Sequence, residues 1–313
     1  MYGGLKIFGG RAHPALTKEI CTYLNEPVGK LTAFDFSDGE TFVQLEENVR
    51  GTDVFIIQPT SPPVNQNLME LLILVDAFRR ASARRITAVL PYYGYGRQDK
   101  KDKPRVPITA KLVAELIQRS GVDRVLTMDL HAAQLSGFFD IPVDHLFAAP
   151  VLLKAIRQLD IPDLVIVSPD AGGVARARAI AKRLEVDLAI VDKRRVATNE
   201  SEILNVIGEV DGRDVLILDD IFDTAGTLVK TAASLKTEGA NRVLAVGIHG
   251  ILSGPALKRI SDSCLELAFV TNTTPVDSLL EHCDKLRSLS VAPLLGEAIR
   301  RIHDNSSVTA LFV

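Results

Sequence analysis

Three carboxylates and a candidate anion-binding turn share one stretch of the chain, DVLILDDIFDTAGTLVK at 214–230. Asp219, Asp220 and Asp223 lie within five residues, and the turn DTAGT that follows contains Gly226, which allows close backbone approach. Free N–H groups at the start of the next helix form a site for an anion. A helix terminus contributes only about 0.3–1 kcal/mol per charge. Each N–H bond to a charged oxygen contributes roughly 1.5–3 kcal/mol, so these bonds decide the affinity.

The carboxylates require a partner other than the anion. Vicinal hydroxyls, which donate hydrogen bonds, and a hard cation such as Mg²⁺ both meet this need. A ribose phosphate carries a phosphate at one end and hydroxyls at the other, so it satisfies both halves of the stretch. The alternative is an ordinary strand end with solvated acids before a helix start. We predict that a ribose phosphate is bound by Asp219, Asp220, Asp223, Thr224, Ala225, Gly226 and Thr227.

The elements that must position these residues follow from hydrophobic patterning. Apolar runs such as 53–57, 85–90 and 214–218 are rich in Val, Ile and Leu without alternation, which is typical of strands covered on both faces. Helical patterns such as 65–81 separate them, and helices of this length favour right-handed crossovers between parallel strands. The sequence therefore predicts an α/β fold with doubly wound, mostly parallel sheets.

An internal similarity indicates two related domains. Residues 49–58 (VRGTDVFIIQ) resemble 210–219 (VDGRDVLILD), and 85–91 resemble 242–248, at the nearly equal offsets of 161 and 157. A chain of 313 residues also exceeds the usual size of one core. We predict domains at 1–148 and 149–313. The last residues, about 15 of them, are expected to pack on the N-terminal domain.

Composition limits the partners and the compartment. The net charge of −3 and the pI near 6.1 predict no binding to nucleic acid or anionic lipid. No run of 18 apolar residues and no secretory signal are present in the sequence, so no membrane span is expected. The cysteines Cys21, Cys264 and Cys283 are scattered, which favours a reducing compartment. We therefore expect a cytoplasmic protein.

Beyond these patterns, LDDIFDTAGT at 218–227 resembles the phosphoribosyl-pyrophosphate loop of type I phosphoribosyltransferases. Two such domains, with further segments, resemble the ribose-phosphate pyrophosphokinase family. The resemblance runs nearly from end to end of the chain. Its segments are FSDGE (36–40), NLMELL (67–72), PYYGYGRQDKKDKPRVPITAK (91–111), DLHAAQLSGFFDIPVDHL (129–146), VSPDAGGVARAR (167–178), DKRR (192–195) and SGPA (253–256).

The resemblance implies transfer of pyrophosphate from MgATP to the 1-hydroxyl of ribose 5-phosphate, with release of AMP. The sequence contains no Walker loop, and GYGRQD interrupts GxGxxG, so side chains must hold ATP. Phe36 would stack on adenine, and Arg97 suits a bidentate grip on phosphate. In the family the FSDGE segment reaches the site from a neighbouring subunit, which implies a homo-oligomer and, by resemblance, a hexamer. The implied ATP-binding residues are Phe36, Asp38, Gly39, Glu40, Arg97 and Gln98.

The resemblance also assigns catalytic and metal-binding roles. Lys193 and Arg195 would neutralise charge that develops on the transferring phosphoryl group and on the departing AMP. His131 and Asp170 would coordinate the Mg²⁺ bound to ATP, although imidazole is a poor magnesium ligand and a contact through water is an alternative. Asp129 is a weaker metal candidate. The residue that takes the proton of the 1-hydroxyl stays unassigned.

Two departures from the usual family pattern leave alternatives open. VATN follows KRR where relatives often have Pro-Arg-Pro-Asn, and IHG at 248–250 replaces a more usual Thr-His-Pro. A non-catalytic associated subunit and a phosphoribosyltransferase that uses a base as nucleophile are the rival functions. By resemblance, Arg50, Ser307 and Thr309 are candidates for a regulatory pocket.

Overall fold

The computed structural model describes residues 3–194 and 203–311 of the chain. No helix within these ranges is long and apolar enough to cross a membrane. Strands and helices are numbered in chain order. The strands are β1 (Leu5–Gly9), β2 (Leu31–Asp35), β3 (Thr41–Leu45), β4 (Asp53–Ile57), β5 (Arg85–Leu90), β6 (Arg124–Met128), β7 (Val143–Leu146), β8 (Leu164–Ser168), β9 (Asp187–Arg194), β10 (Ile203–Ile207), β11 (Asp214–Phe222), β12 (Val243–Gly250), β13 (Ala268–Thr271) and β14 (Leu286–Leu289). The helices are α1 (Pro14–Leu24), α2 (Val64–Arg80), α3 (Thr109–Ser120), α4 (Ala149–Gln158), α5 (Val174–Leu184), α6 (Gly226–Thr237), α7 (Ala256–Asp262), α8 (Asp277–Leu280) and α9 (Ala292–His303).

The chain divides into two compact units. The first contains Met1–Ala148, Thr273–Pro275 and the chain from Val291 onwards, and the second contains Ala149–Asn272 and Val276–Ser290. The main segment of the first unit thus ends at the residue where the sequence analysis puts the domain boundary. The predicted second domain, 149–313, extends past the observed second unit.

Helix α9 explains this difference, because it packs on α1 within the first unit. Leu295, Ile299 and Ile302 are buried along α9. A Cβ on Gly296 would lie 2.5 Å from Cδ1 of Tyr23, so any larger residue would force the Tyr23 ring to shift, and glycine favours this approach of the two helices. The segment that joins the first unit is therefore longer than the short tail expected from the sequence.

The first unit is built on a five-stranded sheet in the order β1-β4-β5-β6-β7 within the described residues, and each neighbouring pair is parallel. Strands β4 and β5 are buried along their whole length. Strands β2 and β3 form a separate antiparallel hairpin. Leu31, Val43 and Leu45 of this hairpin pack against the core of the unit, so its base is fixed by apolar contacts.

The second unit contains, in its described part, a seven-stranded sheet in the order β10-β9-β8-β11-β12-β13-β14. Strand β10 is antiparallel to β9, and the other pairs are parallel. The similar sequence segments form adjacent parallel pairs in both units, β4 with β5 and β11 with β12. The prediction of an α/β fold with doubly wound, mostly parallel sheets is confirmed.

Candidate functional site

The central strand of the second unit carries two acids at its carboxyl end. β11 pairs with β8 over Asp214–Ile217 and with β12 as far as Phe222. The apolar run suggested that this strand ends at Leu218, but β12 runs on to Gly250 and provides a partner for the longer strand. Asp219 and Asp220 therefore lie on strand backbone at the edge where parallel sheets bind ligands.

Burial and neighbouring negative charge raise the pKa of Asp219 to about 7. Burial is the largest cause, the charge of Asp220 comes next, and the charge of Asp170 adds to it. The backbone N–H of Asp220 donates to Oδ1 of Asp219 at 2.9 Å, which acts in the opposite direction. The acidic strand end thus favours a cation or hydroxyl donors as partners.

Residues 223–227, named here the phosphate loop, lead from β11 into the first two residues of α6. Ala225 is the N-cap of α6 and has the left-handed φ of 57°. Ala225 has no polar side chain and makes no capping bond, and the N–H groups of the first helical turn have no acceptor inside the helix, so this helix start offers donors to an anion. Thr224 and Thr227 are exposed, and their hydroxyls add donors. The loop has the chemistry of a phosphate site.

Arg259, on α7, contacts the phosphate loop and was missed by the sequence analysis. Its Nη1 donates to the carbonyl oxygen of Thr224 at 2.9 Å, and a Cβ on Gly226 would lie 3.2 Å from the same nitrogen. The backbone N–H of Ser253, just before α7, donates to the carbonyl oxygen of Asp223 at 3.0 Å. The SGPA segment at 253–256 supported the family resemblance, but it gave no sign that Arg259, three residues further on, would contact the loop.

Asp170 follows β8, the parallel neighbour of β11. Its Oδ1 accepts from the N–H of Gly173 at 3.0 Å, and Oγ of Ser168 donates to its carbonyl oxygen at 2.7 Å. Asp170 is half-buried, and its negative charge acts on Asp219. Asp170 and Asp219, predicted from two different segments, are therefore close enough in the second unit for their charges to interact.

The two predicted catalytic residues lie at the edge of the described structure. Lys193 lies in β9, where it pairs with Leu204 of β10, so the strand continues past the run DLAIV that predicted it. Arg195 lies outside the described residues. β9 is the parallel neighbour of β8, which places the backbone of Lys193 in the strand next to the one that precedes Asp170.

In the first unit, the predicted adenine-binding residues form the tip of the β2–β3 hairpin, residues 36–40. Phe36 is 48% exposed, and its ring packs edge-on against Phe34 and Phe42, with centroids 5.2 and 5.8 Å away. The N–H of Phe36 donates to the carbonyl oxygen of Glu40 at 2.8 Å. Gly39 has a φ of 92°, which closes the turn. The hairpin tip thus presents an aromatic surface beside the polar side chains of Asp38 and Glu40.

The predicted phosphate-binding residues of the first unit follow β5. Arg97 and Gln98 are exposed. The N–H of Gln98 donates to the carbonyl oxygen of Tyr95 at 2.9 Å, and Oγ1 of Thr109 donates to Oε1 of Gln98 at 2.6 Å. Four exposed cations come next along the same loop. They are Lys100, Lys101, Lys103 and Arg105.

His131 follows β6 and is exposed. Asp129, the weaker metal candidate, is buried and accepts the N–H of Ala148 at Oδ2 at 2.6 Å. That bond gives Asp129 a structural role. Among the residues that the structure describes, no three His, Cys, Asp or Glu side chains are grouped to hold a metal ion by themselves.

Two α/β units with mostly parallel sheets, the second with an acidic strand end that leads into a phosphate loop, define a two-unit α/β protein with a candidate site for a phosphorylated ligand. Residues 5–121 match the family model described as the N-terminal domain of ribose phosphate pyrophosphokinase, and 194–313 match the phosphoribosyl synthetase-associated domain. The chain belongs to the ribose-phosphate pyrophosphokinase family, and the resemblance drawn from the sequence is confirmed.

Individual relatives agree with this assignment over the full length. The ribose-phosphate pyrophosphokinase of Helicobacter pylori strain 26695 is 56% identical over 99% of this chain and 96% of its own. The one from Wolinella succinogenes is 53% identical over 99% of each chain. The crystal structure of phosphoribosylpyrophosphate synthetase from Mycobacterium smegmatis has a TM-score of 0.91 and 42% identity, and the match covers 97% of this chain and 100% of that one.

Proposed function

We propose that the protein transfers the pyrophosphoryl group of MgATP to the 1-hydroxyl of ribose 5-phosphate, which gives 5-phospho-α-D-ribose 1-diphosphate and AMP for nucleotide biosynthesis. One observation carries the proposal: in the second unit the acidic strand end leads directly into a helix start whose N-cap residue, Ala225, makes no side-chain capping bond. Full-length relatives named ribose-phosphate pyrophosphokinase support it.

The ribose 5-phosphate site consists of the phosphate loop and the acids before it. The 5-phosphate accepts hydrogen bonds from the N–H groups of 224–227 and from the hydroxyls of Thr224 and Thr227. Asp219, Asp220 and Asp223 accept hydrogen bonds from the ribose hydroxyls. The raised pKa of Asp219 supports this division, because a crowded carboxylate gains more from donors than from another anion.

ATP binds through residues of the first unit. Phe36 offers its exposed ring to adenine, while Asp38, Gly39 and Glu40 bond the base and its ribose. Arg97 and Gln98 contact the phosphates, and Arg97 does so as a planar, permanently charged fork. The exposed lysines of the loop after Arg97 add positive charge above the triphosphate.

The donor set fits Mg²⁺. Magnesium keeps several waters and is usually bound by one or two carboxylates together with substrate phosphates, so a group of three protein ligands is not required. In the second unit, Asp170 is proposed as a carboxylate ligand. In the first unit, His131 is proposed as a ligand, with a contact through water as the alternative. When bound, Mg²⁺ neutralises negative charge on the phosphates of ATP.

Positioning and electrostatics account for the chemistry that this chain supplies. Lys193 and Arg195 stabilise the charge on the β-phosphoryl group and on the departing AMP. A loose phosphoryl-transfer transition state does not demand a strong base. A bound cation would lower the raised pKa of Asp219, and no residue is assigned as a general base.

The assembly and the compartment belong to the same proposal. A hexamer built from dimers would let the exposed hairpin tip of one subunit serve the site of its neighbour. The scattered cysteines support a cytoplasmic location.

The direct test is a reaction of purified protein with MgCl₂, ATP and ribose 5-phosphate, with products separated by anion-exchange chromatography. We expect equal amounts of AMP and phosphoribosyl pyrophosphate. Lys193→Ala should lower kcat by about 10³-fold or more, whereas Lys182→Ala, at an exposed position in the last turn of α5, should leave it unchanged. Absence of AMP would favour a regulatory subunit, and activity that requires a base and phosphoribosyl pyrophosphate would favour a phosphoribosyltransferase.

A further inference from the structure

A polar network fixes the β2–β3 hairpin at the end nearest its tip. Leu31, Ala33 and Asp35 occupy alternate positions of β2 and share one face. Leu31 packs against the core. Asp35 takes the third position of that face, and it pairs in register with Thr41, the last pair before the tip. The carboxylate of Asp35 thus follows the last apolar side chains that hold the hairpin on the core.

Arg11 meets this carboxylate and connects it to the body of the first unit. Its Nη1 and Nη2 donate to the two oxygens of Asp35 at 3.0 and 2.6 Å. Its Nε donates to Oε2 of Glu70 at 2.5 Å, and its backbone N–H donates to Oε1 of Glu70 at 2.6 Å. A planar guanidinium is suited to bridge two carboxylates in this way, because its donors form a rigid fork.

The network rests on a rigid base in the core. Glu70 of α2 is 1% exposed and also accepts from Nε2 of the buried Gln58 at 3.2 Å. A Cβ on Gly10 would lie 2.2 Å from Oε1 of Gln58, so glycine lets the backbone before Arg11 reach these groups. Gln66, one turn before Glu70 on the same helix, donates to Oδ2 of Asp35 at 2.7 Å.

Charge and hydrogen bonding both strengthen the contact between Arg11 and Asp35, which is named here the anchor. The guanidinium of Arg11 holds the pKa of Asp35 at about 2, and Oγ1 of Thr41 contributes by donating to Oδ1 at 2.7 Å. Beyond Asp35, the tip residues 36–40 are all exposed. The anchor is therefore the last fixed point before the residues proposed to bind adenine.

We propose that Arg11 is a positioning residue for ATP: by bridging Asp35 to Glu70 it sets the direction in which the hairpin tip projects. The inference rests on the proposed function, because it assumes that the tip contacts the nucleotide. It assigns to Arg11 and Asp35 no contact with ATP itself. Loss of the bridge should weaken ATP binding and leave ribose 5-phosphate binding intact.

The cleanest variant is Asp35→Ala, since it releases the hairpin but keeps Arg11 paired with buried Glu70. We expect the KM for ATP to rise about tenfold or more and the KM for ribose 5-phosphate to stay within about twofold. Arg11→Lys should give an intermediate KM for ATP, because one ammonium cannot bridge both carboxylates as a fork does. Arg11→Ala leaves Glu70 without its cation and is expected to destabilise the unit as well.

The matched control is Arg213→Ala. Arg213 also bridges two carboxylates, Asp163 at 2.9 Å and Asp187 at 2.6 Å, but it lies just before the amino end of β11, away from the ligand edge of its sheet. This variant should leave both KM values unchanged.

A second readout does not depend on activity. The chain contains no tryptophan, so Phe36→Trp introduces a single indole at the tip. We expect its fluorescence anisotropy to fall when Asp35→Ala is added and to stay unchanged when Arg213→Ala is added. Unchanged anisotropy would overturn the anchor, and lower anisotropy with an unchanged KM for ATP would overturn its role in ATP positioning. If the parent protein forms no AMP at all, the proposed function fails first, and the inference about ATP fails with it.

Discussion

Nη1 of Arg259 lies 2.9 Å from the carbonyl oxygen of Thr224, across 35 residues of sequence. The contact fixes one peptide plane of the phosphate loop, and it brings a permanent positive charge to the helix start that would receive the 5-phosphate. Arg259 itself is exposed, so its contribution concerns the shape and charge of the loop more than the stability of the fold.

Removal of this contact should affect sugar binding selectively. Arg259→Ala is expected to raise the KM for ribose 5-phosphate by about three- to tenfold, which is the scale of one charge-assisted hydrogen bond at an exposed site. The KM for ATP should stay unchanged. Steady-state kinetics with each substrate varied in turn measure both values.

Lys258→Ala provides the control for Arg259→Ala. Lys258 is the preceding residue on α7 and a cation too, but it pairs with Asp262 at 2.9 Å and is 81% exposed. If both variants raise the KM for ribose 5-phosphate equally, general positive charge on α7 is responsible, and the specific contact with Thr224 is not.

Because the backbone at Ala225 is left-handed, replacing this alanine with valine should cost more stability than the same substitution elsewhere in α6. Ala225→Val puts a β-branched side chain at a φ of 57° in a buried position, so it should lower the free energy of unfolding by about 2 kcal/mol or more. Ala233→Val, at an exposed site within α6, should cost only about 0.5 kcal/mol, the ordinary helix-propensity difference. Urea unfolding of both variants tests this, and equal costs would contradict the strained helix start.

These positions also show what the sequence could and could not reveal. Apolar runs predicted buried strands such as β4 and β5, and the DTAGT turn predicted the helix start after β11, because those signals are local. The contact of Arg259 with the loop, the packing of α9 on α1 and the bridge from Arg11 to Asp35 depend on partners far away in the chain. Strand β11 continues through its acids because β12 accompanies it, and no local pattern encodes a neighbour's length.

Because the pKa of Asp219 is raised, replacing its carboxylate with a neutral amide should stabilise the fold, and the gain should depend on pH. Because its pKa in the folded protein, about 7, lies above that of the unfolded chain, its stabilising contribution is complete below about pH 4 and is lost as the pH rises through 7. Asp219→Asn should therefore raise the free energy of unfolding at pH 8 by about 1–3 kcal/mol, and the gain should shrink toward pH 4.

Thermal unfolding at several pH values, with chelator present, measures the effect of Asp219→Asn. The exposed Asp160 supplies the control, since Asp160→Asn should give the same change in unfolding temperature at pH 5 and pH 8. The same Asp219→Asn protein should bind ribose 5-phosphate more weakly. A variant that is no more stable at pH 8 than the parent would refute the crowding of the acids.

A buried ion pair predicts the largest loss of stability in the first unit. Nε of Arg85 donates to Oδ1 of fully buried Asp53 at 2.7 Å, and Nη2 donates to the carbonyl oxygen of Ile302 at 2.9 Å, at the end of α9. Arg85→Met should cost about 3–5 kcal/mol, because it leaves a buried carboxylate without this cation. Nδ1 of His303 also lies 2.8 Å from Oδ2 of Asp53. Adding Asp53→Asn should still recover part of that loss, since it removes the buried charge that has lost its arginine partner. Arg80→Met, at a 78% exposed arginine of α2, serves as the control in urea unfolding and should change stability by less than about 0.5 kcal/mol.

The double variant Arg85→Met/Asp53→Asn separates two causes of the loss. If it is no more stable than Arg85→Met alone, the lost bond to α9, rather than the buried charge, dominates the cost.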